Sequence, residues 1–226
     1  FPARYGVQAT GQKVSANSQL EMIIREAQAG NVLGDVLMIT DAPAAMAQLL
    51  PQGFVESWLP PDMAGVIPEI YQDPLTITTN ANVWSYNTEV HDACPVSNVW
   101  QLTEPEWSRM VAMVDPLSKS SYTDWFSQME SHHDDELRAA YEARYGKPLE
   151  TDLGSATKAW VAALAKNAPL LTEGDEQVSA AVGAPGQEKP FIGLMSSAKF
   201  RDIADLGYRM AVCDTMTPWV GWTDSK

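Results

Sequence analysis

Hydrophobic and polar positions along the chain alternate between the two periods of regular structure, and the switches between them predict an α/β protein. From Leu75 to Glu89 the β-branched and aromatic residues Ile77, Thr79, Val83, Trp84 and Tyr86 interleave with Thr76, Thr78 and Asn80. That composition suits a pleated, partly buried strand, and Asn87-Thr88 breaks it. Because α/β patterns lie on both sides of it, this strand is expected to be a hinge that leaves one lobe and enters another.

Ahead of the hinge, Gly6 leads into an expected strand from Val7 to Val14. Leu20, Ile23, Ile24 and Ala27 recur at helical spacing behind a capping-box pattern, Ser18 to Glu21, and Gly30 stops that helix. Asp35 to Thr40 is a nearly continuous apolar run of the buried parallel-strand type. Asp41 then caps a helix that carries Pro43 in its first turn and runs to Leu50. Residues 54–74, with Pro60, Pro61, Pro68 and Pro74, read as an irregular connection.

Beyond the hinge the pattern predicts a short helix from Asn98 to Trp107 and a buried strand from Met110 to Val114. A polar loop, Asp115 to Ser121, opens a helix whose apolar face is Tyr122, Trp125, Phe126 and Met129. Further helices are expected at 136–145, 155–166 and 172–182, and strands at 191–195 and 209–212. The apolar run Pro218 to Trp222 sits where the chain would return to the first lobe. The lobes are thus 1–85 with 214–226, and 86–213.

Composition narrows the partners. The 226 residues are 45% hydrophobic, enough for one large or two small cores. A formal net charge of −14 argues against nucleic acid or anionic membrane as a partner. No run of 18 or more apolar residues occurs, and no basic-then-apolar leader opens the sequence, so neither a membrane span nor a signal peptide is expected in it. The two cysteines, Cys94 and Cys213, form no CxxC motif; a disulfide in an oxidising compartment and two buried thiols both fit.

Several blocks, taken in order, resemble one family. They are Ser18 to Leu20 before an amphipathic helix, Gly34 to Leu37, Gly53 to Glu56, Tyr71 to Pro74, Tyr86 to Thr88, Leu102 to Trp107, and Val111 to Pro116. Together they are similar to the periplasmic solute-binding proteins of ABC importers, in the iron(III), phosphonate and sugar-phosphate branch. The resemblance implies two α/β lobes joined by hinge strands, the first lobe incomplete here, closing on a small-molecule or ion ligand. It implies a periplasmic or lipid-anchored extracellular monomer, a membrane permease as partner and no cofactor. It also places Cys94 and Cys213 together near the hinge, where a disulfide is expected. Iron-binding members use an adjacent tyrosine pair as ligands, and every tyrosine of this sequence is isolated.

In an open parallel sheet, ligands bind beyond the carboxyl ends of the strands, where helices begin. The candidates there are Asp41, the loop Ser118, Ser120, Ser121 and Tyr122, and the acidic helix start with Asp175. Hydroxyls and amides at a helix start suit an oxyanion; acidic residues favour an amine or a metal. Helix capping is the favoured account of Asp41, and it fits Ser121 as well as a ligand contact does. Trp84 and Tyr86 either wall the cleft or belong to the core, and Ser196 and Ser197 either contact the ligand or form a polar turn. His132 and His133 are neighbours on a helix and point to different faces, which disfavours joint chelation. No GxSxG, HExxH, GxxxxGK[ST] or post-strand GxGxxG motif is present. An α/β enzyme using the same cleft is the alternative.

Overall fold

The computed structural model describes residues 2–225. It contains two hydrophobic cores of very different size. The smaller joins Ile23 to Ala45 and Leu49, with Leu37, Ile39, Phe54 and Val55 packed against them. The larger extends from Trp84 to Met216 and gathers four sheet strands and the helices around them.

The small core rests on α2 (Ala16–Ala29) and on α3 (Ala42–Ala44), which continues as a π-helical turn over Ala45–Leu49. A single helical turn, α1 (Pro2–Tyr5), precedes them. The cap of α2 is Ser15, whose Oγ accepts from the Ser18 amide at 3.4 Å, so the capping box expected at Ser18 lies one turn too late. Gly30 closes the helix in the left-handed conformation, as its position predicts.

Two expected strands are absent. Residues 7–14 and 35–40 form no ladder with any described residue. The second stretch keeps strand-like alternation, with Leu37 and Ile39 turned inward while Val36 and Met38 are 87% and 63% exposed. Alternation sets which side chains face a core, but a strand also needs a neighbouring backbone to pair with. Here a side chain supplies part of that role, as Gln19 Nε2 donates to the Met38 carbonyl.

The large core is built on a six-stranded mixed sheet in the order β3-β2-β4-β1-β5, with β6 also on β1. Its strands are β1 (Thr79–Asn87), β2 (Val111–Val114), β3 (Leu170–Thr172), β4 (Ile192–Ser196), β5 (Met210–Val212) and β6 (Gly221–Ser225). β2 runs parallel to β3 and β4, whereas β1 is antiparallel to β4, β5 and β6. The helices are α4 (Ser120–His132), α5 (Asp134–Tyr145), α6 (Ala156–Lys166), α7 (Asp175–Gly183) and α8 (Asp202–Leu206). The segment expected as one helix from Asn98 consists of two 3₁₀ turns, Val99–Thr103 and Pro105–Trp107.

One edge of β1 carries β6 along residues 79–83 and β5 along 85–87. The outgoing and returning runs are therefore paired neighbours in one sheet, a ribbon rather than two separate crossings. Gly221 makes that pairing possible, since a Cβ there would collide with the Asn82 carbonyl. The disulfide Cys94–Cys213 fastens the ribbon to the following loop with Cα atoms 5.0 Å apart, as the resemblance implies.

Candidate functional site

The carboxyl ends of β2, β3 and β4 open on the same side, because these strands are parallel, and each leads into a turn of helix. Three of the sequence-predicted segments meet there. After β2, the Asp115 carboxylate accepts the Leu117 amide at 2.9 Å, and its carbonyl accepts the amides of Ser118 and Lys119. That turn aims Lys119 inward. Lys119 Nζ donates to Asn82 Oδ1 at 2.8 Å, pairs with the Asp175 carboxylate at 3.3 Å and stands 5.1 Å from the Tyr122 ring centroid.

Asp175, in the first turn of α7, also accepts the Ser196 amide at 3.1 Å. Ser196 Oγ donates to Asn80 Oδ1 at 2.7 Å. Beside them the buried Lys199 holds Glu176 at 2.7 Å, and this hydrogen bond keeps the Glu176 carboxyl below its ordinary range. The strand ends thus form a linked polar cluster in which each of these charges has a partner of opposite sign.

Next to this cluster lies a cavity of about 490 Å³. One wall comes from the segment that carries the small core: Thr40, Ala42, Pro43 and Met46. The facing wall is α4, through Ser121, Asp124, Trp125 and Met129. The floor is the approach to β6, where Trp222 stacks on Trp125 with ring centroids 4.2 Å apart and an interplanar angle of 12°. Lys119 and Asp175 do not line the cavity; the first turn of α4 joins the two features. The cavity is the better candidate for a ligand, because the cluster's polar groups are already engaged with one another.

The predicted residues divide sharply. Ser121 lines the cavity, and its Oγ is buried with no hydrogen-bond partner among the described residues. It is therefore not a cap. Ser118 is exposed, with its hydroxyl on the Asp115 carbonyl at 2.9 Å, and Ser120 is half-buried at the start of α4. Tyr122 is wholly buried and donates to the Leu194 carbonyl at 3.0 Å, which makes it a core residue. Trp84 and Tyr86 are core residues as well, on the strand face that carries Asn80 and Asn82 further back. Asp41 is the expected cap, accepting the Ala44 amide at 3.0 Å between the cavity-lining Thr40 and Ala42. Asp175 belongs to the polar cluster.

Sequence reasoning missed Asn80 and Asn82, the inward turn of Lys119, and Met46, Asp124 and Trp222 on the cavity wall. The apolar run Pro218 to Trp222 was the available signal for the last of these. His133 also lines the cavity; its ring bonds Glu136 at 3.0 Å and meets Trp219 edge-on. Among the described residues no group of three or more His, Cys, Asp or Glu is placed to hold a metal ion.

Residues 1–215 match the family described as bacterial extracellular solute-binding protein. The chain belongs to that family. Its fold is similar to iron-bound HitA from Pseudomonas aeruginosa, with a TM-score of 0.68 at 18% identity over 99% of this chain and 66% of that one. The ferric binding protein from Campylobacter jejuni gives a TM-score of 0.65 at 13% identity, over 99% and 67% of the two chains. The binding protein AgtB of A. tumefaciens R10, in complex with agropinic acid, gives 0.57 at 15% identity, over 99% and 63%. The chain spans about two thirds of the length of these structures. At such identities the likeness establishes the two-lobe binding-protein fold alone. No curated protein matches the chain.

Proposed function

We propose that this protein is the solute-binding component of a bacterial ABC importer, working outside the cytoplasmic membrane and delivering its solute to a membrane permease. One observation carries the reading of the site. The cavity is walled on one side by the segment that carries the small core and on the other by large-core residues of α4. A solute lodged there touches Met46 and Trp125 at once, so its binding energy favours the arrangement in which the lobes approach. The proposed lobes are residues 1–85 with 214–226, which include the small core, and residues 86–213. No helix among the described residues is long and apolar enough to cross a membrane, so in this reading the permease supplies the passage.

The cavity volume falls within the range typical of small-molecule sites. Of the residues predicted from sequence, Ser121 is the proposed ligand contact, with Asp41 holding the Thr40–Ala42 wall in place. The function needs no covalent step. The test is native mass spectrometry of the protein as purified, to identify a retained solute, combined with small-angle scattering with and without it. Retention of one small solute and a contraction on binding are expected. A chemically converted product, or a solute that binds without contraction, would overturn the reading.

A further inference from the structure

Where a closing motion bends the chain follows from what each side of β1 is tied to. Within β1, Asn82 to Ser85 pair with β4 and Ser85 to Asn87 with β5. Side chains hold its first half to the same body: Ser196 Oγ donates to Asn80 Oδ1 at 2.7 Å, and Lys119 Nζ donates to Asn82 Oδ1 at 2.8 Å. The returning run is fastened there too. The Thr217 amide donates to the Ser97 carbonyl at 2.8 Å and its carbonyl accepts the Val99 amide at 2.9 Å, beside the Cys94–Cys213 disulfide. Trp219 Nε1 donates to Glu136 at 3.0 Å, Trp222 stacks on Trp125, and β6 pairs with β1 as far as Ser225. Just upstream of β1 the ties point the other way. The Leu75 amide donates to Ser57 Oγ at 3.2 Å, and the Thr76 amide donates to the Tyr71 carbonyl at 2.8 Å. Ser57 and Tyr71 belong to the connection that begins at Phe54 and Val55, which pack on the small core. Between the two sets of anchors stand Ile77 and Thr78, both exposed and outside the ladders of the described residues; the Thr78 hydroxyl bonds the carbonyl of its own neighbour, Thr79. A few element-terminal residues between two anchored segments are where a hinge takes up its change of φ and ψ.

We infer that the lobes pivot at Ile77–Thr78, so that the chain up to Thr76 moves as one body while β1 and residues 214–225 travel with the second lobe. The inference rests on the importer reading above and moves its boundary from residue 85 to a two-residue hinge. By sequence position the first half of β1 and all of β6 fall in the first lobe; by pairing they are carried by the second. Of the cavity lining, Thr40 to Met46 then move, whereas Trp219 to Thr223 stay with α4.

Two measurements on the solute-free protein test this. In native-state hydrogen exchange the amides of Trp84, Val99 and Thr217, all donating to backbone carbonyls, should open as one unit with a common urea dependence. The amides of Ile77 and Thr78 should exchange at least about a hundredfold faster. Spin labels read the motion itself, one pair at Gln28→Cys and Glu142→Cys and a second at Thr79→Cys and Glu142→Cys. All three sites are exposed, and Cys94 and Cys213 are bonded to each other. In frozen solution the 28–142 distance distribution should be at least about twice as broad as the 79–142 distribution. Equal breadth overturns the inference: two narrow distributions mean one rigid body, and two broad ones return the pivot to residue 85. Loss of protection at Trp84 and Thr217 together with α2, ahead of Val99, also overturns it. The importer reading fails on a different result, the absence of any retained solute or contraction.

Discussion

Replacing Ser121 with alanine tests the site through the sign of two independent effects. An ordinary helix-capping serine loses about 0.5–2 kcal/mol of stability on such a change. Ser121 lies inside α4, after the cap position at Lys119, and its buried hydroxyl has no partner among the described residues. Leaving a buried hydroxyl unpaired costs about 1–3 kcal/mol, so alanine should stabilise the solute-free protein. Taking about 1 kcal/mol, the low end of that range, the melting temperature of a chain of this size should rise by about 2–4 °C. If Ser121 contacts the solute, the hydroxyl has a partner to lose in the loaded protein. A neutral hydrogen bond of about 1 kcal/mol corresponds to roughly fivefold weaker binding, and one to a charged group to tenfold or more. Scanning calorimetry on the solute-free protein and titration calorimetry with its retained solute read the two effects separately. A lower melting temperature with unchanged affinity would show that the hydroxyl serves the fold, and it would remove Ser121 from the site.

Three further outcomes follow from packing and charge. The disulfide Cys94–Cys213 spans a sequence separation of 119 residues, so chain-entropy reasoning predicts that Cys94→Ala/Cys213→Ala loses up to about 4–5 kcal/mol, read as a fall in the urea midpoint; an unchanged midpoint refutes it. Burial pushes the Asp134 carboxyl up, but hydrogen bonds from Thr157 and Ala156 and the nearby Arg138 outweigh it and hold the group below its ordinary range. Its stabilisation is therefore present above the ordinary carboxylate range and lost as pH falls through the lowered value. Asp134→Ala should cost about 1–3 kcal/mol at pH 7 and flatten the decline in stability below about pH 4, measured by urea unfolding at several pH values. Gly193 on β4 lies under Val178 and Val182 of α7, where an added Cβ would collide with both, so Gly193→Ala should destabilise by about 1–3 kcal/mol in the same assay.

How much of this was legible in sequence depends on how local each signal is. Met110 to Val114 and Phe191 to Met195 read correctly as strands because both are apolar, bounded by turn residues and buried in the large core. The helix at 156–166 was equally plain, with Ser155 as its cap and Trp160 and Leu164 on one face. β3 passed unnoticed because Leu170 and Leu171 are exposed and only three residues pair. Residues 35–40 failed for the opposite reason, having the pattern of a strand without a pairing partner among the described residues. The site shows the same division. Sequence located the strand ends and helix starts where polar groups converge. It could not tell that Tyr122 spends its hydroxyl on Leu194, or that Lys119 turns inward, because both depend on contacts across 72 and 37 residues.

The physical logic of the site follows from the imbalance between its two walls. The wall of the large core is fixed on several sides: α4 packs on α6, Trp222 is held between Trp125 and Tyr122, and β6 is paired to β1. The wall beside the small core rests on three buried side chains, Ile23, Ala45 and Leu49, and on the Asp41 cap. Among the described residues, Asn17 Nδ2 donates to the Leu117 carbonyl at 3.3 Å across the halves, and Lys13 lies near enough to Glu176 to help lower its carboxyl's pKa. Exposed links of this kind contribute about 1 kcal/mol each at most. A solute that fills the space between Met46 and Trp222 adds contacts of the same order or larger on both sides. In the proposed importer role, the solute's contacts with both walls therefore govern how the halves are held.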